Sequence, residues 1–185
     1  MKKHLIFCIA LVALMTSCVK EPSILRRLTA EDAAAIPYQI KQKLNFMDEN
    51  GDTLTFTVTY DETKTFSEDY WEYPYDSKMS ITRQPWCYAR TVVLRHVSDS
   101  GRQEMMFTVV PEKYLYFKND EMALPYIDLK GETETVEVNG VTYENVHVNQ
   151  SYDAQSGELR HLWYYSEEVG LIAVKNKEHS LALIP

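Results

Sequence analysis

The chain reads as all-β, an antiparallel meander wound into a strongly curved sheet or partly open barrel, and three observations lead there. First, apolar and polar residues alternate with period two, most clearly where Leu54, Phe56, Val58 and Tyr60 interleave with Thr53, Thr55, Thr57 and Thr59. This puts four apolar side chains on one face of a strand and β-branched threonines on the other. Second, turn chemistry recurs between strand-like runs, at Asp48-Glu49-Asn50-Gly51-Asp52, Ser98-Asp99-Ser100-Gly101, Asn139-Gly140 and Asp153-Ala154-Gln155-Ser156-Gly157, and such short connections join antiparallel neighbours. Third, the chain lacks the evenly spaced strands and the tryptophan with paired cysteines of an immunoglobulin-type sandwich, so a two-sheet β-sandwich is the alternative rather than the first choice.

The chain divides into residues 1–17, residues 18–36 and a β-domain over 37–185. The middle segment holds Thr29 ahead of Ala30-Glu31-Asp32-Ala33-Ala34-Ala35, a helical turn capped by threonine and stopped before Pro37. Its expected role is a spacer. Strands are expected at 39–47, 53–60, 89–97, 104–110, 114–118, 136–138, 141–143, 146–149, 159–166, 171–175 and 181–184. Asn139-Gly140 is the strongest turn, because a type I′ hairpin needs positive φ at both central residues and this pair supplies it. Gly170 marks a turn or bulge where the chain re-enters the sheet.

The N-terminus carries an address. Lys2 and Lys3 precede an apolar run over 5–15, then Thr16 and Ser17 lead to Cys18, which is the layout of a secretory signal. Spanning a bilayer takes about 20 apolar residues, and this run gives way to Lys20, Glu21 and Pro22 well before that. Met15-Thr16-Ser17-Cys18 resembles a lipobox. The resemblance implies a diacylglycerol on the Cys18 thiol, cleavage before Cys18 and acylation of the new amine. Two or more acyl chains anchor a protein stably, at about 0.8 kcal/mol per buried CH₂.

Cys18-Val19-Lys20-Glu21 further resembles the signals that follow the lipidated cysteine in surface-exported lipoproteins of Bacteroidetes, with fewer acidic residues than that pattern carries and Pro22 interrupting it. Thr133-Glu134-Thr135-Val136-Glu137-Val138-Asn139-Gly140-Val141-Thr142-Tyr143, with the later Trp163-Tyr164-Tyr165-Ser166-Glu167-Glu168-Val169-Gly170-Leu171-Ile172, resembles small Bacteroidetes outer-membrane or surface lipoproteins of unassigned activity. That likeness covers about a third of the chain and is structural rather than chemical. It implies a single antiparallel β-domain on an outer membrane, facing the surface or the periplasm.

Charge and cysteine use narrow the partners. Of 185 residues, 27 are acidic and 19 basic, and loss of Lys2 and Lys3 with the signal leaves 17 basic residues and a formal charge of −10. The basic residues are scattered, so no nucleic-acid partner is expected. Cys8 leaves with the signal and Cys18 takes the lipid, so Cys87 stands alone, without an intramolecular disulfide. Between Trp86 and Tyr88 it reads as a small buried hydrophobe.

Chemistry has few footholds. The candidate contact surface is Tyr70, Trp71, Tyr73 and Tyr75 with Trp86, in a segment lacking periodicity, where flat rings could stack on a glycan or an apolar ligand. The competing role for these rings is to close the mouth of the curved sheet. A second reading makes the sheet a cup for an acyl chain or apolar peptide, with Met105, Met106 and Phe107 near its lining, against the plainer possibility of a filled core. His96, His147, His161 and His179 show no metal-ligand spacing, and neither metal nor other cofactor is expected. The acidic turn at residues 48–52 places its glycine too early for an EF-hand loop. Nucleophile-elbow, phosphate-loop and dinucleotide fingerprints are absent, so no enzyme is expected, and Glu121, Glu158 and Glu167 are unassigned carboxylates. The expected function is a membrane-anchored binding or assembly component of the envelope. An apolar-ligand carrier, a purely structural envelope protein and an envelope protein partner are left open.

Overall fold

The computed structural model describes residues 25–66, 87–99, 101–119, 123–153 and 156–185. Among the described residues, one short helix, α1 (Ala30–Ala34), precedes eleven strands: β1 (Lys43–Asp48), β2 (Thr53–Phe66), β3 (Cys87–Ser98), β4 (Gly101–Val110), β5 (Tyr114–Asn119), β6 (Ala123–Asp128), β7 (Glu134–Val138), β8 (Val141–Tyr152), β9 (Leu159–Ser166), β10 (Gly170–Asn176) and β11 (Ser180–Ile184). All belong to one antiparallel sheet in the order β6-β5-β4-β3-β2-β1-β11-β10-β9-β8-β7. The chain winds outward from β1 to β6, crosses to the other edge, and winds back until β11 pairs with β1, Phe46 opposite Leu183. The sheet is a strongly curled, partly open barrel, and the sandwich alternative is set aside.

Curling is what the alternation requires, because one face of most of the described strands is apolar and must find cover. The inner face brings Phe46, Phe56, Val92, Leu94, Met105, Phe107, Leu115, Phe117, Trp163, Tyr165, Leu171 and Val174 into one core. Its centre is a column of rings: Phe107 lies 5.0 Å from Phe117, Phe117 stacks on Trp163 at 5.6 Å, and Tyr38 meets Phe107 edge-on at 5.3 Å. A bulge between Val58 and Tyr60 shifts the β2–β3 register by one residue. At the seam of the curl, Asn149 Nδ2 on β8 reaches the Tyr126 carbonyl on β6 at 3.5 Å.

One end of the barrel is plugged by the chain that enters it. Thr29 Oγ1 accepts from Asp32 N at 3.0 Å, and Thr29 N donates to Asp32 Oδ2 at 2.9 Å, a reciprocal cap that starts α1. Ala35, Ile36 and Tyr38 are fully buried in the core. Tyr165 Oη donates to the Ala35 carbonyl at 2.7 Å, and Tyr38 Oη accepts from Leu171 N at 2.5 Å. The spacer expected over 18–36 therefore differs from the structure in its last residues, which belong to the packed domain. The polar Glu31 and Asp32 masked the apolar side of that turn.

Smaller differences have local causes. The strand expected from residue 39 begins at Lys43, because Lys41 takes φ 69° and Gln42 N bonds the Gln39 carbonyl at 3.0 Å in a turn. β6, with Pro125 inside it, was not expected. The two short strands expected over 141–149 are one, β8, which pairs with β7 in its first half and with β9 in its second. The Asn139-Gly140 turn has φ of 52° and 76°, as a type I′ hairpin demands.

Candidate functional site

Cys18, Tyr70, Trp71, Tyr73, Tyr75 and Trp86 all lie outside the described residues. The aromatic segment leaves the sheet at Phe66 and returns at Cys87, and both positions are at the plugged end, where Cys87 pairs with Phe66 and bridges to Arg26. Cys87 is buried with Ala89, Val110 and Tyr116 in a small cluster on the outer face, with Phe66 and Tyr114 packed against it. Tyr126, half exposed, stands edge-on to Tyr114 beside this cluster.

The mouth, opposite the plug, holds a pocket of about 70 Å³. Leu54, Phe56, Met105 and Leu181 form an apolar floor, and Asp48, Glu49, Gln103, Glu104, Asn119, His179 and Ser180 line its polar side. Hairpin turns position the acids. Asp48 Oδ1 accepts from Asn50 N at 2.9 Å and Asp52 N at 2.8 Å, and these backbone donors hold its carboxyl below the ordinary range despite some desolvation. Glu49 accepts from Ser180 N at 3.1 Å and faces His179 Nδ1 at 3.3 Å, and the Ser180 amide is the main cause of its lowered pKa. Glu104 is ion-paired with Arg95 and Arg102, with Arg102 the larger influence keeping it charged. Sites for drug-sized ligands run to about 300–1,000 Å³, so this pocket suits a small polar group on an apolar stem.

The cup reading meets a filled interior. Met105 and Phe107 do face inward, but both are fully buried, and Met106 alternates to the outer face. The ring column occupies the space an acyl chain would need.

Among the described residues, no group of three or more His, Cys, Asp or Glu side chains is arranged to hold a metal ion. Glu158 pairs with Lys177 at 3.0 Å beside the mouth, whereas Glu167 pairs with Lys113 at 3.2 Å at the plug, so these two carboxylates sit at opposite ends. Glu121 lies outside the described residues. His147 is buried at the plugged end, and desolvation lowers its pKa against the opposing pull of Glu167 and Asp128.

One arrangement escaped sequence reasoning. Ser151 Oγ is 2.9 Å from His161 Nδ1, and His161 Nε2 is 3.1 Å from Asn149 Oδ1. Ser151 and His161 are register partners across β8 and β9. The only signal in the sequence was the shared parity of Asn149 and Ser151, and nothing there said which residue of β9 would face them.

Compared with known proteins, the chain matches no protein family, no curated protein and no solved structure.

Proposed function

We propose that this chain is a lipid-anchored lipoprotein of the outer envelope, held by an acylated Cys18, and that it works as a tethered binding or assembly component. The observation that carries this reading is the direction of entry. Arg26, eight residues after Cys18, bridges to Cys87 at the plugged end, and Leu28 packs against the core just beyond it. Eight residues reach at most about 29 Å, so an anchor at Cys18 keeps the plug near the membrane and turns the mouth away from it.

The amphipathic pocket then faces outward, and its mixture of acids, amides and an apolar floor favours hydroxylated ligands such as the end of a glycan. The filled ring column is why the mouth is preferred to an acyl-chain cup. No helix among the described residues is long and apolar enough to cross a membrane.

Two measurements test the parts separately. Cys18→Ala should move the protein from the membrane fraction to the soluble fraction, and unchanged fractionation would remove the anchor. Amide chemical shifts of Asn119 and Ser180 should move saturably during titration with envelope glycans, and weaken in Gln103→Leu. Shifts confined to residues 87–89, 114, 116 and 126 would relocate recognition to the outer face near the aromatic segment.

A further inference from the structure

We propose that Ser151, His161 and Asn149 form a nucleophilic site that accepts the acyl group of small carboxylic esters. The three side chains occupy inward positions of β8 and β9, since their register places Asn149 opposite Trp163 and His147 opposite Tyr165, both core residues. All three are half-buried, near the mouth. This reading does not rest on the lipid anchor or on the mouth pocket.

The hydrogen bonds fix the direction of every proton. Tyr126 offers a carbonyl, which can only accept, so the Asn149 amide turns Nδ2 toward it and Oδ1 toward His161. Oδ1 can only accept in turn, so His161 carries its proton on Nε2 and leaves Nδ1 bare. Ser151 therefore donates its hydroxyl proton to Nδ1. Nucleophile, base and orienting group are thus connected in that order, the logic of an activated serine. The ring is used in the opposite sense to the Ser-His-Asp triad of serine proteases, an exchange of nitrogens that leaves the proton count unchanged. Burial lowers the pKa of His161, which keeps the ring neutral and able to accept a proton at neutral pH.

A donor follows two residues along the same strand. Trp163 occupies the next inward position of β9, and its fully buried indole Nε1 has no hydrogen-bond partner among the described residues. An orphaned buried donor costs about 1–3 kcal/mol, and a developing oxyanion is the type of acceptor that offsets such a cost. Trp163 and its stacked neighbour Phe117 fill the space below, which limits the acyl group to a short one.

In the reaction, Ser151 Oγ bonds to the ester carbonyl carbon while its proton passes to His161 Nδ1. The carbon–oxygen bond to the alcohol breaks, and the alcohol leaves with that proton. Water then attacks the acyl-serine, gives its proton to His161, and the acid departs as Ser151 is restored. No oxidant or metal enters the balance.

The test is labelling of the full chain with a fluorophosphonate, which loses fluoride as a serine oxygen bonds to phosphorus. Mass spectrometry should find one adduct, on the peptide containing Ser151, absent in Ser151→Ala. His161→Gln and Asn149→Ala should each slow labelling by about tenfold or more, and the wild-type rate should fall as acid protonates His161. Circular dichroism checks that the variants fold. An unlabelled wild type, an adduct that persists in Ser151→Ala, or equal labelling of heat-unfolded protein would each overturn the proposal, the first without any variant.

Discussion

Arg90 shows how one side chain can hold a plug in place. Its five donors are all used: Nε and Nη2 grip Asp61 at 2.8 Å each, Nη1 reaches the Ala33 and Ile36 carbonyls at 2.6 and 2.7 Å, and Nη2 reaches Tyr38 O at 3.0 Å. Arg90→Met would strand a largely buried carboxylate and three carbonyls, so urea denaturation should show a loss of about 3 kcal/mol. Arg90→Lys should recover only part of that, because an ammonium lacks the planar fork. Gly170 is constrained twice, by φ of 87° and by the Tyr38 hydroxyl, which a Cβ would meet at 2.1 Å. Gly170→Ala should cost at least about 2 kcal/mol on the same measurement. The histidines predict a pH dependence. Desolvation holds His147 and His161 below the ordinary 6.5, so the unfolded state binds more protons than the native state in that window. Stability therefore rises with pH there and declines in acid. The urea midpoint should drop between about pH 7.5 and about pH 5.5, and His161→Gln should flatten the curve.

At the scale of elements, most boundaries follow from turn residues and caps. The Thr29–Asp32 box starts α1, and Thr29→Ala should cost about 1 kcal/mol, read as a lower melting temperature. The larger effect belongs to the whole segment. Ala35, Ile36 and Tyr38 enter the core behind it, so a truncation beginning at residue 37 should bind an apolar dye and melt earlier than one beginning at residue 25. Equal melting of the two truncations would show that the plug is dispensable. The sheet is read the same way: turns with glycine at positive φ, such as Gly51 at 85° and Gly140 at 76°, set the hairpins, and alternation sets which face curls inward.

For the molecule as a whole, the consequence of the fold is polarity. Chain entry, the Arg90 clasp and the ends of the aromatic segment share one end, while the small amphipathic pocket and the Ser151–His161–Asn149 chain lie toward the other. The proposed anchor at Cys18 predicts that a flexible insert of about twenty residues in the 19–24 stretch increases the distance of the mouth from the bilayer, measured by energy transfer from a dye at Ser98 to a lipid dye. That distance should stay unchanged in Cys18→Ala only if something other than the lipid holds the domain.

The sequence by itself determined the all-β class, the hairpin positions and the burial of Cys87, because alternation and turn chemistry are local properties of a strand. It also carried the lipobox resemblance, which lies in residues outside the described structure. It missed the plug, since a five-residue helix is too short to show an apolar face and Asp32, a residue type that reads as solvent-facing, is buried there with its carboxylate accepting from Lys113 N. It missed β6, where Pro125 argues against a strand that an edge position tolerates. Only the tertiary structure decided that the curl is filled by rings rather than hollow, because alternation is identical in both cases. It alone brought Ser151, His161 and Asn149 together, since register between strands is set by packing across the barrel and not by either strand alone.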